Sequence, residues 1–402
     1  MREGWKEVKF GEVVEFPPKI KMVKGNKYPF IPMELIDGGY KYVKPIEEKE
    51  LAGGGAKFEE GDTLFARITP CLQNGKIAQA KNLNNKPGFG STEYFIFRGI
   101  PNVTENDYVY YLSQMQEFRD NAINSMVGAS GRQRADAGHV KSFVFNLPPL
   151  ETQNKIASIL SGYDDLIENN LKRIKILEEM AQQTYEEWFV RMRFPGHESA
   201  TINPETGLPE GWKKVKFEKY FEINNGYAFK SGEYTDEGVI LLRTRDYSST
   251  KWIDINQKIF IEENIKYNKY KSQKWDLMLI MVGASIGNYG VVLPKDENLY
   301  LNQNQWAIRS KSHLFDFFKI LMMERLINDL LSKKTGAARD FFRSSFLKEL
   351  DVIIPNEDLI KEMNLLIEPI YNLINTLFEQ NQRLREARDI LLPRLMMGMI
   401  EV

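Results

Sequence analysis

At 402 residues with 43% hydrophobic content, the chain is long enough for two domains, each with its own core. One cysteine, Cys71, excludes an internal disulfide and a multi-cysteine metal site, and three scattered histidines, His139, His197 and His313, argue against a His-rich one. The net charge of −1 argues by itself against a nucleic-acid binder. No apolar run approaches a membrane span, and MREGWKEVKF lacks the apolar segment of a signal peptide, so the expected compartment is the cytoplasm.

In chain order, residues 1–150 begin with GWKEVKFGEVVEF at Gly4 and hold three short strand patterns between Gly/Asn/Pro-rich turns. These are YPFIPMELI (28–36), GDTLFARI (61–68) and TEYFIFR (92–98), and a helix is predicted over 106–121. The loop GASGRQRADAGH follows at 128–139. Residues 147–196 then read as a long helix, opened by Pro148–Pro149 with Glu151 in its first turn and stopped by Pro195–Gly196. Leu160, Tyr163, Ile167, Ile174, Leu177, Ala181, Thr184 and Trp188 follow steps of three and four, with one double step that contains Asn170. A stripe this narrow is made to lie along another helix. From Tyr163 to Met192 the arm is about 45 Å long at 1.5 Å per residue.

The polar segment HESATINPETGLP (197–209) reads as a linker. After it the pattern starts again. GWKKVKFEKYFEI places Gly211, Trp212 and Phe217 207 residues after Gly4, Trp5 and Phe10. Strand patterns VILLRTRD (239–246), WDLMLIMV (275–282) and QNQWAIR (303–309) follow, with offsets drifting to 211 between Arg98 and Arg309. A helix over 314–333 and the loop TGAARDFFRSS (335–345) complete the second globular part. A second long helix from Asn356 carries a stripe through Ile370, Ile374, Leu377 and Leu384, with Pro148, Leu166, Ile167 and Leu177 matched 207 residues on by Pro355, Leu373, Ile374 and Leu384. Gly162 falls on Pro369, which predicts a kink or short turn at the same height of both helices. The chain is therefore two copies of a globular-domain-plus-helix unit, an α+β arrangement. The segmentation is a globular domain at 1–146, a helical spacer at 147–196, a linker at 197–210, a second globular domain at 211–354 and a distal helical spacer at 355–402.

Charge follows the same division. Residues 1–150 hold 20 Lys+Arg against 18 Asp+Glu and 200–350 hold 23 against 19, whereas 151–199 hold 6 against 9 and 351–402 hold 5 against 9. A polyanion should meet the mildly basic globular parts, although offsets this small also arise by sampling in a near-neutral chain.

Motifs for catalysis are missing from the sequence. Asn74–Gly75–Lys76–Ile77 lacks the first glycine and the hydroxyl of a phosphate loop, and Gly53–Gly54–Gly55 leads into a turn at 57–61 rather than a helix, as a flexible loop would. Polar planar side chains gather instead in the loops: Arg67, Asn74, Lys76, Glu93, Arg132, Gln133 and Arg134 in the first domain. In the second they are Asn225, Lys230, Arg243, Arg245, Asn288, Gln303, Asn304, Gln305 and Arg339, with Tyr227 as an exposed aromatic candidate. Arg pairs with guanine, and Asn or Gln with adenine, through two parallel hydrogen bonds in the major groove. Lysines and the amides of 128–131 suit phosphates. Each is also an ordinary loop or turn residue. Tyr94, Trp252 and Trp306 read as core.

LPPLETQNKIASIL (147–160), EEWF (186–189), LPEGWKKVKF (208–217), NNGYAFKSGEY (224–234) and RDILLPRLMMGMI (388–400) carry a resemblance along essentially the whole chain. It resembles the specificity subunit of type I restriction–modification systems. One departure is that Ala337–Ala338–Arg339 stands where the first copy has Ala129–Ser130–Gly131–Arg132.

The resemblance implies a non-catalytic subunit whose globular parts are target recognition domains, each reading half of a split double-stranded DNA site. The helices would pair as an antiparallel coiled coil with pseudo-two-fold symmetry, packing through Leu160, Tyr163, Ile167, Ile174, Leu177, Ile370, Ile374, Leu377 and Leu384 and acting as a ruler. It also implies two methyltransferase subunits that bind S-adenosylmethionine and two restriction/translocase subunits that use ATP and Mg, with no cofactor, metal or membrane for this chain. Two other readings of the residues remain: a coiled-coil scaffold with two protein-binding modules, and a stand-alone DNA-modifying enzyme.

Overall fold

Each globular domain is closed by its own two ends. The alternating KEVK of Lys6–Lys9 pairs antiparallel with Val144–Leu147, and the KKVK of Lys213–Lys216 pairs likewise with Asp351–Ile354. The strand that opens each copy therefore zips to the strand that precedes its long helix. The computed structural model describes residues 4–128, 132–247, 251–253, 255, 258–282, 285–332 and 343–402. Packing divides the chain into Met1–Leu171 with Gln380–Val402, and Lys172–Glu379, so each unit holds one β-rich domain and a piece of each long helix.

In the first unit a five-stranded sheet runs in the order Val14–Glu15, Tyr94–Gly99, Thr63–Ala66, Ile77–Ala80, Tyr42–Val43. A four-stranded sheet runs Glu47–Glu50, Lys27–Ile31, Gly88–Gly90, Ala56–Phe58. Gly53, Gly54 and Gly55 all hold positive φ and lead directly into this last strand, where a turn was expected. Alternation along Tyr94–Gly99 sends Phe95 and Phe97 into an aromatic core with Phe10, Phe16, Phe65 and Phe118. The expected helix over 106–121 is two helices, Asn106–Gln114 and Gln116–Asn124. Met115 between them is extended at ψ 137°, and the break lets Met115 and Phe118 enter one core.

Ile156, Ala157 and Leu160 of the helix Leu150–Tyr185 join that core, as do Leu395 and Met396 of the helix Glu357–Met396. The two helices run antiparallel here: Asn381 faces Asn170 and Arg388 faces Asp164. Asn170 Nδ2 donates to Asn381 Oδ1 at 2.9 Å, with both residues buried. In the other unit the repeat puts Leu377 and Ile174 at the matching positions, and both are buried. A single polar layer of this kind selects register at some cost in stability. Asn170→Leu alone strands Asn381 in the seam and is expected to cost about 1–3 kcal/mol. Adding Asn381→Ile, which completes the pair used by the other copy, should return the urea midpoint to wild type or above it.

In the second unit a four-stranded sheet runs Phe221–Asn225, Gln305–Ser310, Leu277–Ile280, Tyr289–Val291. Another runs Tyr234–Thr235, Phe260–Ile261, Val239–Leu242, Tyr300–Leu301, and the helix Asp316–Ser332 follows the sheets. Trp252 is fully buried, with its ring 5.6 Å from Tyr371 and 6.0 Å from Phe378 and its indole N–H donating to Glu178. Beside it Lys251 pairs with Glu324 at 2.7 Å. Removing that ring opens a cavity at the junction of the sheet with both helices. Trp252→Ala is expected to cost about 3–5 kcal/mol, read as a lowered denaturation midpoint.

Neither long helix is interrupted by a turn at Gly162 or Pro369. A Cβ at Gly162 would meet nothing, and the residue that loses its hydrogen-bond partner to Pro369, Leu365, is highly exposed, so no buried group suffers. The first helix also ends before Pro195–Gly196, widening into a π turn at Glu186–Val190 where Arg191 N donates to Glu186 O at 2.8 Å. The wide turn rephases the apolar face, so that Phe189 meets both Trp212 and Phe318. Residues 197–209 form an ordered turn within the second unit, with Asn203 N donating to Leu208 O at 2.9 Å and Leu208 buried.

Candidate nucleic-acid interface

Two backbone hydrogen bonds define the same end of the central sheet in both domains. In the first domain Ala66 N donates to Lys76 O at 3.1 Å and Arg67 N to Glu93 O at 3.0 Å. In the second domain Ile280 N donates to Asn288 O at 2.9 Å and Met281 N to Asn304 O at 3.2 Å. Both extend the ladders of Thr63–Ala66 and of Leu277–Ile280 by one residue. Lys76 and Asn288 therefore hold one framework position, and Glu93 and Asn304 another. The framework is common to both, but the side chains it presents are not.

In the first domain the segment 133–135 lies alongside 67–69. Ala135 N donates to Arg67 O at 2.8 Å, Thr69 N to Gln133 O at 3.0 Å, and Gln133 N to Thr69 Oγ1 at 3.0 Å. This brings Arg134 over Glu93: its Nε reaches Oε2 at 2.9 Å and its Nη2 reaches Oε1 at 2.7 Å. Arg67 Nε approaches the same carboxylate at 3.4 Å. Hydrogen bonds from Arg134 hold the Glu93 carboxyl below its ordinary range. The Arg134 side chain is 46% exposed against 20% for Glu93. Arg132 and Asn74 are exposed, Gln133 is half-buried, and Lys76 Nζ donates to Met33 O at 3.0 Å.

In the second domain Asn225, Asn288, Gln303 and Asn304 are exposed and share one sheet end, since Asn225 pairs with Trp306. Three other candidates do not join them. Arg243 is buried and paired with Asp246 at 2.8 Å. Gln305 is 0% exposed, donating to Leu242 O at 2.8 Å and accepting from the Tyr247 hydroxyl. Tyr227 is half-buried among Phe229, Tyr267 and Tyr270 rather than free. Lys230 is exposed beside the short turn Ser231–Glu233. Arg339 and the Arg245 side chain lie outside the described residues, as does most of the loop 335–345. Tyr94, Trp252 and Trp306 are buried.

On the helices Leu160, Ile167, Ile174, Ile374 and Leu377 are buried, and Tyr163, Leu177, Ile370 and Leu384 are half-buried. Off that seam lies a feature that sequence reading passed over. Ile159 and Leu166 are exposed, and so are Leu366 and Leu373, each 207 residues further on. A spacing of seven puts each pair on one helix face. The repeat offset was a sufficient signal, but apolar residues on a helix read first as core.

Among the described residues no group of three or more His, Cys, Asp or Glu could hold a metal ion, and no helix is long and apolar enough to cross a membrane. The profile of the type I restriction modification DNA specificity domain matches residues 2–179 and 209–383. The chain is 25% identical to the type I restriction enzyme MjaIX specificity subunit of Methanocaldococcus jannaschii, a match covering 96% of this chain and 89% of that one. It is also 25% identical to the MjaVIII specificity subunit of the same organism, over 100% of this chain and 94% of the relative. Among solved structures, the crystal structure of a type I restriction-modification system S subunit from M. genitalium aligns over 98% of this chain and 96% of its own, at 15% identity and a TM-score of 0.48.

Proposed function

Since the chain belongs to the type I restriction–modification DNA specificity family, whose members are non-catalytic subunits, we propose that it recognises a split double-stranded DNA site, one half per globular domain. In this reading it holds methyltransferase and restriction/translocase subunits on that site, in the cytoplasm. One observation carries it: a single framework position bears Glu93 in one domain and Asn304 in the other, and a second bears Lys76 and Asn288. Two readers of different half-sites need a common scaffold with different polar side chains at its rim.

The long helices support a ruler between half-sites. The helix Leu150–Tyr185 has 36 residues, which at 1.5 Å each is about 54 Å, against roughly 34–36 Å for one turn of DNA. The repeated strips at Ile159/Leu166 and Leu366/Leu373 support two copies of one partner, the methyltransferase subunit. S-adenosylmethionine would then belong to those subunits, which take the target adenine out of the stack, and ATP and Mg to the restriction subunits. Partners that supply part of the phosphate attraction reconcile the net charge of −1 with DNA binding.

The test is long-read mapping of methylated adenines in cells carrying the cognate methyltransferase, with and without this chain. A two-part motif with a fixed gap, present only with the chain, is the expected result. Exchanging residues 4–146 for the matching domain of a relative should change one half of the motif and leave the other intact. If an active methyltransferase leaves no chain-dependent mark, a scaffold with two protein-binding modules becomes the better account.

A further inference from the structure

Glu93 and Arg134 are 41 positions apart, yet two hydrogen bonds join them into one element at the rim of the first domain. We propose that Arg134 reads a guanine in the half-site of that domain, and that Glu93 is the positioning residue that aims it. The inference rests on the DNA-recognition reading above and assigns it a base and a residue pair.

The argument starts from the donors of a guanidinium. It has five N–H groups on three edges. Glu93 occupies the Nε/Nη2 edge, with contacts at 2.9 and 2.7 Å. The Arg134 side chain is 46% exposed, and among the described residues no hydrogen bond is made by Nη1, which leaves the Nη1/Nη2 edge for a ligand. Two parallel N–H groups on one edge are the complement of guanine O6 and N7. Adenine offers a donor where guanine offers O6, so the edge discriminates between the purines.

Glu93 is poorly placed to read a base itself. Its carboxylate accepts from Arg134 on both oxygens and from Arg67 at 3.4 Å, and its backbone N–H donates to Ser91 Oγ at 3.1 Å. The lone pairs that would accept from cytosine N4 are engaged. On the other side, Arg134 has its backbone fixed by reciprocal bonds with Val127 at 3.0 and 3.1 Å. An arginine held at both ends loses little freedom on binding, which is where an unsupported surface arginine pays its main cost. The second domain has Asn304 and Met281 where the first has Glu93 and Arg67, so this device belongs to one half-site alone.

The experiment uses the full chain with its cognate methyltransferase in cells, and compares adenine-methylation maps for wild type, Arg134→Lys, Arg134→Ala, Glu93→Gln and Glu93→Ala. Arg134→Ala should make one G·C position degenerate in the half-site that residues 4–146 control, with preference there falling about tenfold or more. Arg134→Lys keeps the charge that phosphates attract but lacks the planar fork, so it should relax the same position while keeping overall methylation readable. Glu93→Gln preserves shape and removes the charge; it should relax that same position and no other. A merely structural pair would lower methylation everywhere and leave the motif intact. The inference is overturned if the motif is unchanged in all four variants, if methylation weakens uniformly, or if the Glu93 and Arg134 variants relax different positions. Absence of a chain-dependent motif for wild type sinks the DNA reading along with it, whereas a wild-type motif that the variants leave unaltered sinks this inference alone.

Discussion

Arg388→Met is expected to lower the unfolding free energy by about 3–5 kcal/mol, because it removes one partner of a buried ion pair and leaves the other. Arg388 Nη1 lies 2.5 Å from Asp164 Oδ1, with side-chain exposures of 9% and 2%. Tyr111 OH donates to Asp164 Oδ2, and the nearby Ser161 accepts from the buried Lys41, which also pairs with Asp107 at 3.0 Å. This network ties the β-rich domain to both helices of its unit. Asp164→Asn in the Arg388→Met background should recover part of the loss, since a neutral amide can still accept from Tyr111. Full recovery needs more than the pair, because Lys41 and Tyr111 would keep polar groups in the same pocket. The repeat supplies the comparison: 207 residues from Asp164 and Arg388 stand Tyr371 and Ala181, both buried in the second unit. One copy holds charge at these matched positions and the other an uncharged phenol and a methyl group. Urea midpoints of the single and double variants measure the coupling, and a single variant as stable as wild type would sink the account.

The contrast between the copies marks where sequence reading succeeds. The strands around Phe65, Phe97, Leu279 and Ile308 were legible because an alternating or buried run between turn residues has few other solutions. The helical seam through Ile167, Ile174 and Ile374 was legible through its steps of three and four. The kink expected at Gly162 and Pro369 was read from local propensity, but packing on both sides keeps a helix running through such residues. Continuation of the helix Asn106–Gln114 through Met115 failed for the opposite reason, since a buried side chain there outweighs one more helical turn.

The rim of the domains was legible in composition but not in direction. Asn304 and Gln305 are neighbours in the sequence, yet the ladder that pairs Gln305 with Ile280 turns its side chain into the core and leaves Asn304 outside. Nothing in the chain before folding distinguishes them. Arg243 looked like a reader and spends its guanidinium on Asp246 three residues on. The Glu93–Arg134 element depends on segment 133–135 lying beside 67–69, a pairing that periodicity does not encode.

The largest effect on assembly is expected from the outer faces of the helices. Leu166 is 54% exposed and Leu373 38% exposed, so Leu166→Glu and Leu373→Glu should leave folding intact, with melting midpoints close to wild type. At a docked interface the same carboxylates would be buried without a partner, which costs several kcal/mol and corresponds to a loss of affinity of about a hundredfold or more. If the two strips are equivalent seats for one kind of subunit, stoichiometry becomes the readout. Mixed with its cognate methyltransferase and examined by native mass spectrometry, the wild-type chain should carry two copies. Each single variant should carry one, and the double variant none. The ratio separates docking from a general loss of affinity, since a damaged fold would weaken both seats together. Two copies retained at wild-type affinity by the double variant would mean that the partner sits elsewhere. The repeated exposed leucines would then have no part in assembly.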